Sequence, residues 1–287
     1  MDAERIIDFH THTFPDAIAE RAISRLSAAS HTKAFTDGTE AALSASMARA
    51  GIALSVIQPV ATNPAQVIKI NDGALRINER TGETGLLSFG SMHPDFEDVR
   101  RELVRLNEGG IRGIKLHPVY QGVDFDDPRC LRILENCAKL GLCVLIHAGL
   151  DVGFPGVVHG SPRMILHALQ EVGPFTLILA HMGGWRCWDE VLELLPATGA
   201  YIDTSFSLGR MTPNGDGHYQ TEDELRLMDE ESFVRLIRAF GAERVLFGSD
   251  SPWADQREAL EAFRRLPLTE NEQAQILCRN AEKLLNI

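Results

Sequence analysis

The segment Asp8-Phe9-His10-Thr11-His12 places two imidazoles two residues apart. Side chains two apart on a β-strand point to the same face, so His10 and His12 would aim two nitrogens at one point from one strand end. Such a pair suits a metal ion. In a chain with ten histidines it can also arise by chance or from hydrogen-bonded core residues. Recurrence separates the readings. The runs Leu142 to His147, Phe175 to His181 and Val245 to Asp250 are apolar and each ends on a side chain able to ligate a metal, and six of the ten histidines lie at or just past the end of an apolar run.

The elements that would position these groups follow from periodicity. Short β-branched runs at 5 to 9, 52 to 57, 86 to 91, 111 to 116, 142 to 146, 175 to 180, 200 to 204 and 244 to 249 predict eight strands. Between them lie segments with helical apolar spacing, many closing on a glycine before the next strand: Gly51, Gly85, Gly109-Gly110, Gly141, Gly173, Gly199 and Gly241. Regular strand-helix alternation implies a parallel sheet, and eight units imply closure into an α/β (β/α)8 TIM barrel, an architecture that commonly uses about 250 residues as one domain. The expectation is therefore one barrel domain over 1–287, with one or two closing helices from about 255 to 287. An open doubly wound sheet is the rival, but no Gly-x-Gly-x-x-Gly follows the first strand.

Active sites of such barrels gather at the C-terminal ends of the strands. Taken in order, those ends carry His10 and His12, Gln58, His93, Lys115 and His117, His147, His181, Asp203 and Asp250. Composition limits what they can serve. With 44% hydrophobic and 24% charged residues the chain is ordinary globular material, and no run of eighteen apolar residues could span a membrane. A net charge of −12 without a basic patch argues against nucleic acid. No cationic and apolar leader precedes the first strand, so the expected compartment is the cytoplasm. Cys130, Cys137, Cys143, Cys187 and Cys278 form no Cys-x-x-Cys pair, which favours reduced, mostly buried thiols over a disulfide framework or a structural zinc module.

In motif order the chain resembles the amidohydrolase superfamily. The motifs are Asp8-Phe-His-Thr-His12, Gly113-Ile-Lys-Leu-His-Pro118, Ile146-His-Ala-Gly149, Ala180-His-Met-Gly-Gly184, Tyr201-Ile-Asp-Thr-Ser205 and Phe247-Gly-Ser-Asp-Ser-Pro252. More narrowly they resemble its amidohydrolase-2 branch of metal-dependent hydrolases and decarboxylases, over nearly the whole chain. The resemblance implies one divalent metal, usually zinc, with His10, His12, His147 and Asp250 as ligands and a further position left for water or substrate. His181 would serve as general base or electrostatic partner, and Asp250 would accept a proton as attack begins. A bound divalent cation lowers the pKa of its water to about 7, and the same site chemistry serves hydrolysis and decarboxylation.

Lys115 lies near the position where two-metal members of the superfamily carry a carboxylated, bridging lysine. In that arrangement His10, His12, Lys115 and Asp250 would hold one ion, and Lys115, His147 and His181 the other. The branch resembled most is mononuclear, so an uncarboxylated Lys115 facing a substrate carboxylate is the first expectation and a lysine satisfied by strand-end carboxylates the plain alternative. His117 is either a substrate contact or a rim residue, and the structural reading is favoured for His93. Asp8 shares the alternation of His10 and His12, which would put it in the barrel interior, orienting a ligand or pairing with Lys115. Asp203 either supports the site or caps a turn. His31, His159, His167 and His218 read as solvated, and Trp185 and Trp188 as packing.

Substrate choice would lie in the long connections Leu150 to Pro162 and Ser205 to Thr221. The expected activity is metal-dependent hydrolysis of a small amide, ester or lactone, with decarboxylation of a small unsaturated or aromatic acid as the alternative. A small-molecule partner, anionic if local cations converge, is expected; dimers are common in the branch, so a homodimer is the corresponding expectation.

Overall fold

The computed structural model describes residues 5–287. Nine strands run in chain order: β1 Ile7–Thr11, β2 Leu54–Ile57, β3 Leu86–Ser88, β4 Gly90–Ser91, β5 Gly113–Leu116, β6 Cys143–Ile146, β7 Leu177–Leu179, β8 Tyr201–Asp203 and β9 Val245–Leu246. All neighbouring pairs are parallel, in the orders β1-β2-β3 and β4 through β9. The two series are consecutive in the chain, because the expected third strand breaks only at Phe89 into β3 and β4. Backbone bonds join the other seam: Phe9 N–H donates to Phe247 O (2.7 Å), Asp250 N–H to His10 O (2.8 Å) and His12 N–H to Ser251 O (2.7 Å). The result is an eight-stranded (β/α)8 barrel, as the periodicity predicts.

Alternation along the strands divides the core into two layers. Ile7, Phe9, Leu54, Val56, Phe89, Cys143, Leu145, Ile178 and Leu246 pack together inside the barrel, whereas their neighbours Ile114, Leu116, Val144 and Ile146 face the helices. The inner layer ends on Cys278, Ala281 and Leu285 of the C-terminal segment, which the Asn280 side chain ties to Ala242 O and Val245 O at the start of β9. This segment is richer than the expected closing helices. Gln256–Arg264 is followed by Glu270–Ala274, a π-helical stretch Gln275–Arg279 and Asn280–Leu285. It fills the N-terminal end of the barrel and leaves the opposite end for chemistry.

Local chemistry explains the helix limits. Thr39, Ser161 and Asp229 accept backbone N–H groups as N-caps, while Thr221 and Thr269 form capping boxes with Glu224 and Glu272. Gly51, Gly85, Gly141 and Gly199 end their helices in the left-handed conformation; Gly173 and Gly241 keep a positive φ but turn straight into the next segment.

Phe89 sits between β3 and β4, where the strand pairing is interrupted. It is fully buried, meets Phe9 edge-to-face at 5.6 Å and lies where a Cβ on Gly113 would fall 2.5 Å from its ring. Phe89→Ala should destabilise the fold by about 3–5 kcal/mol, read as a lowered midpoint in urea unfolding.

Candidate metal centre

At the C-terminal ends of the strands, His10, His12 and Asp250 each place one ligand-type atom within 4.8 Å of the others. His12 Nε2 lies 3.2 Å from His10 Nε2 and 3.1 Å from Asp250 Oδ1, and His10 Nε2 lies 3.5 Å from the same oxygen. The outer ring nitrogens settle the proton positions. His12 Nδ1 donates to the carbonyl of Gln58 (2.8 Å) and His10 Nδ1 to Asp203 Oδ2 (2.8 Å). A carbonyl oxygen can only accept, so His12 presents a bare Nε2 lone pair inward, and His10 does the same. Two lone pairs and a carboxylate oxygen therefore face one another at contact distance. Such a set fits a divalent metal: two imidazoles and a carboxylate suit one, with positions left for water and substrate.

The neighbours fix this arrangement. Asp203, fully buried, accepts from His10 Nδ1 with one oxygen and from His181 N–H (3.0 Å), Ser205 N–H (3.1 Å) and Ser205 Oγ (2.5 Å) with the other. It is thus a support for two histidines and not merely a turn cap. Asp203→Asn should weaken divalent-metal affinity by roughly 10–100-fold, as loss of a carboxylate behind a ligating histidine does, measured by competition with a chromogenic chelator. His181 and Asp250 both adopt the left-handed backbone region, with φ of 59° and 70°. That conformation is strained for side chains of this kind and is held here by surrounding contacts, including Asp250 N–H to His10 O. Burial pushes the imidazoles of His10 and His181 well below their ordinary pKa, so both are neutral bases.

Lys115 is buried with its ammonium 3.2 Å from His10 Nε2. Among the described residues no carboxylate oxygen lies within 4.0 Å of it. Lys115 thus makes no direct ion pair among the described residues, although the strand-end carboxylates of Asp203 and Asp250 and that of Asp151 lie close enough to favour its charged form. Burial, partly opposed by Asp203, Asp250 and Asp151, brings its pKa down to about 8.

His147, the fourth expected ligand, falls outside the 4.8 Å group of His10, His12 and Asp250 but lies close enough for its charge to act on His10 and for Asp250 and Lys115 to act on it. Its ligand atom groups instead with those of His117 and Asp151, again within 4.8 Å. His147 Nδ1 lies 3.0 Å from His181 Nε2, and its Nε2 lies 2.9 Å from Leu150 O. His117 begins a short helix, Pro118–Gln121, accepting Tyr120 N–H at Nδ1, and stacks between Tyr120 (3.8 Å) and His147 (4.2 Å). Asp151 went unnoticed in the sequence because it sits inside a connection that reads as irregular. The available signal was its position four residues after a strand-end histidine. Its carboxyl is held below the ordinary range: burial would raise it, but His117 and His147 together outweigh that effect.

The register of β1 explains a second departure. Its pairing shifts between Asp8 and Thr11, so alternation resets. Asp8 consequently faces out of the barrel, accepting Ser249 N–H (2.9 Å), Ser249 Oγ (2.6 Å) and Gln256 Nε2 (2.8 Å), and does not pair with Lys115. It also accepts His10 N–H (3.2 Å), which ties β1 to the turn bearing Asp250. A close approach makes this seam feasible, since a Cβ on Gly248 would lie 2.8 Å from His10 Cβ.

Of the remaining histidines, His93 accepts Asp95 N–H in a turn, and His31, His159 and His167 pair with Asp216, Asp124 and Asp126 at the surface. His218 stacks on His31 at 3.6 Å. Trp185 packs with Met211, Leu225 and Leu227, where the long connection after β8 folds over the rim, and Trp188 donates to His181 O. Gly149 lets the loops after β6 and β7 touch: its φ is +82° and a Cβ there would sit 2.3 Å from Trp185 N. No disulfide joins any of the five cysteines, and among them only Cys187 is partly exposed. No helix among the described residues is long and apolar enough to cross a membrane.

A (β/α)8 barrel whose strand ends converge histidines, aspartates and a buried lysine belongs to the metal-dependent barrel enzymes. The amidohydrolase family model matches residues 7–287, and the chain is a member of that family. Similar solved structures include an uncharacterised TIM-barrel protein from Bordetella bronchiseptica (19% identity, 98% of each chain, TM-score 0.75). A 5-carboxyvanillate decarboxylase from Novosphingobium aromaticivorans, with bound manganese and 3-methoxy-4-hydroxy-5-nitrobenzoic acid, aligns at 13% identity over 99% of this chain and 98% of its own, TM-score 0.68. A Pseudomonas putida protein provisionally named a 2-pyrone-4,6-dicarboxylic acid hydrolase aligns at 19% identity over 99% and 98%, TM-score 0.66. At these identities the structures share the fold. No curated protein matches by sequence.

Proposed function

We propose that this protein is a metal-dependent hydrolase of a small amide, ester or lactone, with one divalent ion, zinc first among candidates, held by His10, His12 and Asp250. The observation that carries the reading is the inward-facing set of two imidazole lone pairs and one carboxylate oxygen, at 3.1 to 3.5 Å from one another with their outer nitrogens already committed. When bound, the ion supplies Lewis-acid activation of water and of the scissile carbonyl. The protein's own groups do the rest. Asp250 accepts the proton released as water attacks and passes it to the leaving group. His181, held by Asp203 and Ser205, orients the reacting groups, and the Lys115 ammonium neutralises charge developing on oxygen or carried by an anionic substrate.

A second reading, decarboxylation, draws support from Lys115. A buried ammonium that makes no direct ion pair among the described residues is suited to hold a substrate carboxylate beside the metal, and the manganese-containing structural neighbour is a decarboxylase. Turnover in isotope-labelled water separates the two. Hydrolysis places labelled oxygen in the product and releases no carbon dioxide; carbon dioxide without label incorporation overturns the hydrolase reading in favour of the lyase.

A further inference from the structure

We propose that the Tyr120 hydroxyl is a further catalytic group of the barrel mouth, donating a hydrogen bond to the substrate oxygen on which negative charge develops. Tyr120 lies in the short helix that follows the strand carrying Lys115. Its ring stacks on His117 at 3.8 Å with 16° between the planes, and Phe154, from the connection after β6, tilts against it at 5.5 Å. The helix is pinned as well. Gln121, buried, donates to the carbonyls of Ala61 (3.0 Å) and Met92 (2.7 Å) and accepts His117 N–H (3.2 Å), while Tyr120 N–H meets His117 Nδ1 (3.4 Å). A ring stacked on one neighbour and carried by a tethered helix holds its hydroxyl in one place.

That hydroxyl is the uncommitted part of the side chain. A tyrosine withdrawn from water usually finds a partner for its O–H, as Tyr219 does in donating to Ser30 O (2.9 Å). Among the described residues the Tyr120 hydroxyl has none, and it is not sealed in: the side chain is half-buried, and the enclosed atoms lacking partners are Gln58 Oε1 and Gln256 Oε1 instead. It also lies close enough to the first metal group for the Asp250 carboxylate to act on it, together with that of Asp151. Burial and these two negative charges push its pKa up, so the phenol keeps its proton. It serves as a donor and not as a base. No bond to Tyr120 forms or breaks; the O–H is fixed in advance toward charge that appears during reaction, which is where a single donor has its largest effect.

The assignment rests on the proposed ion at His10, His12 and Asp250, and it holds for hydrolysis and for carboxylate loss alike. The probe is acetohydroxamate, whose anionic oxygens bind divalent ions and stand in for a charged substrate oxygen. Zinc-loaded protein is titrated with it by calorimetry, with bound zinc and circular dichroism recorded for each variant. Tyr120→Phe, which keeps the ring and its stacking on His117, should weaken hydroxamate binding roughly 10–100-fold at unchanged zinc content, the range for a hydrogen bond to a charged group. Phe154→Ala removes a neighbour of the ring but no donor, and should bind as the wild type does. Wild-type affinity in Tyr120→Phe overturns the proposal. So does an equal loss in Phe154→Ala, which would make Tyr120 a packing residue. Failure of the metal reading looks different: the wild type then holds no zinc and binds no hydroxamate, and both readings fall together.

Discussion

Asp250→Asn is expected to lower kcat by about a thousandfold, within the range usual for loss of a positioned general acid–base group, while leaving the fold intact. The amide keeps the shape of the side chain and the backbone bond from Asp250 N–H to His10 O. It removes a negative charge from the acceptor set, which weakens the metal, and it removes the carboxylate assigned to take up the proton released by the attacking water. The backbone at this position is in the left-handed region, φ 70°, and asparagine tolerates that region about as well as aspartate, so the loss should be chemical and not conformational. Steady-state kinetics on whichever substrate turns over, together with circular dichroism and metal content, check this. A rate within tenfold of the wild type would remove Asp250 from the mechanism.

His12→Ala should abolish turnover to a similar degree for a different reason, and added metal should fail to restore it. His12 is the most accessible member of the first group, its side chain 17% exposed, so truncation leaves a wet notch at the rim and not a dry core cavity. Stability should therefore change little. What disappears is the Nε2 lone pair 3.1 Å from Asp250 and 3.2 Å from His10, a third of the donor set. Chelator treatment of the wild-type enzyme should reproduce the loss of activity, but there added zinc or manganese should reverse it. Elemental analysis and activity after reloading distinguish the two cases. Full activity and full metal content in His12→Ala would be incompatible with the centre as described.

Much of this was legible before any coordinates. Apolar periodicity located every barrel strand, because each must bury one face inside the barrel and the other against a helix, and that requirement is written in local composition. Alternation likewise put His10 and His12 on one face. It failed for Asp8, since the shift in pairing within β1 is a property of two strands and leaves no mark on one. The break at Phe89 was hidden for the same reason.

The site divides along a similar line. Residue type and strand-end placement by themselves determined which side chains gather at one end of the barrel: His10, His12, Lys115, His117, His147, His181, Asp203 and Asp250. They also determined the kind of chemistry, since these are the groups that bind cations and move protons. Only the tertiary structure decided how they sort. It joined His10 and His12 to Asp250, turned His147 toward His117 and Asp151, set Asp203 behind two histidines and put the Lys115 ammonium against His10. The physical reason is scale. Periodicity sets a residue's face and depth to within one strand, whereas a ligand set depends on ångström separations between different strands. Those separations are fixed by barrel closure, loop contacts and the hydrogen bonds that orient each ring.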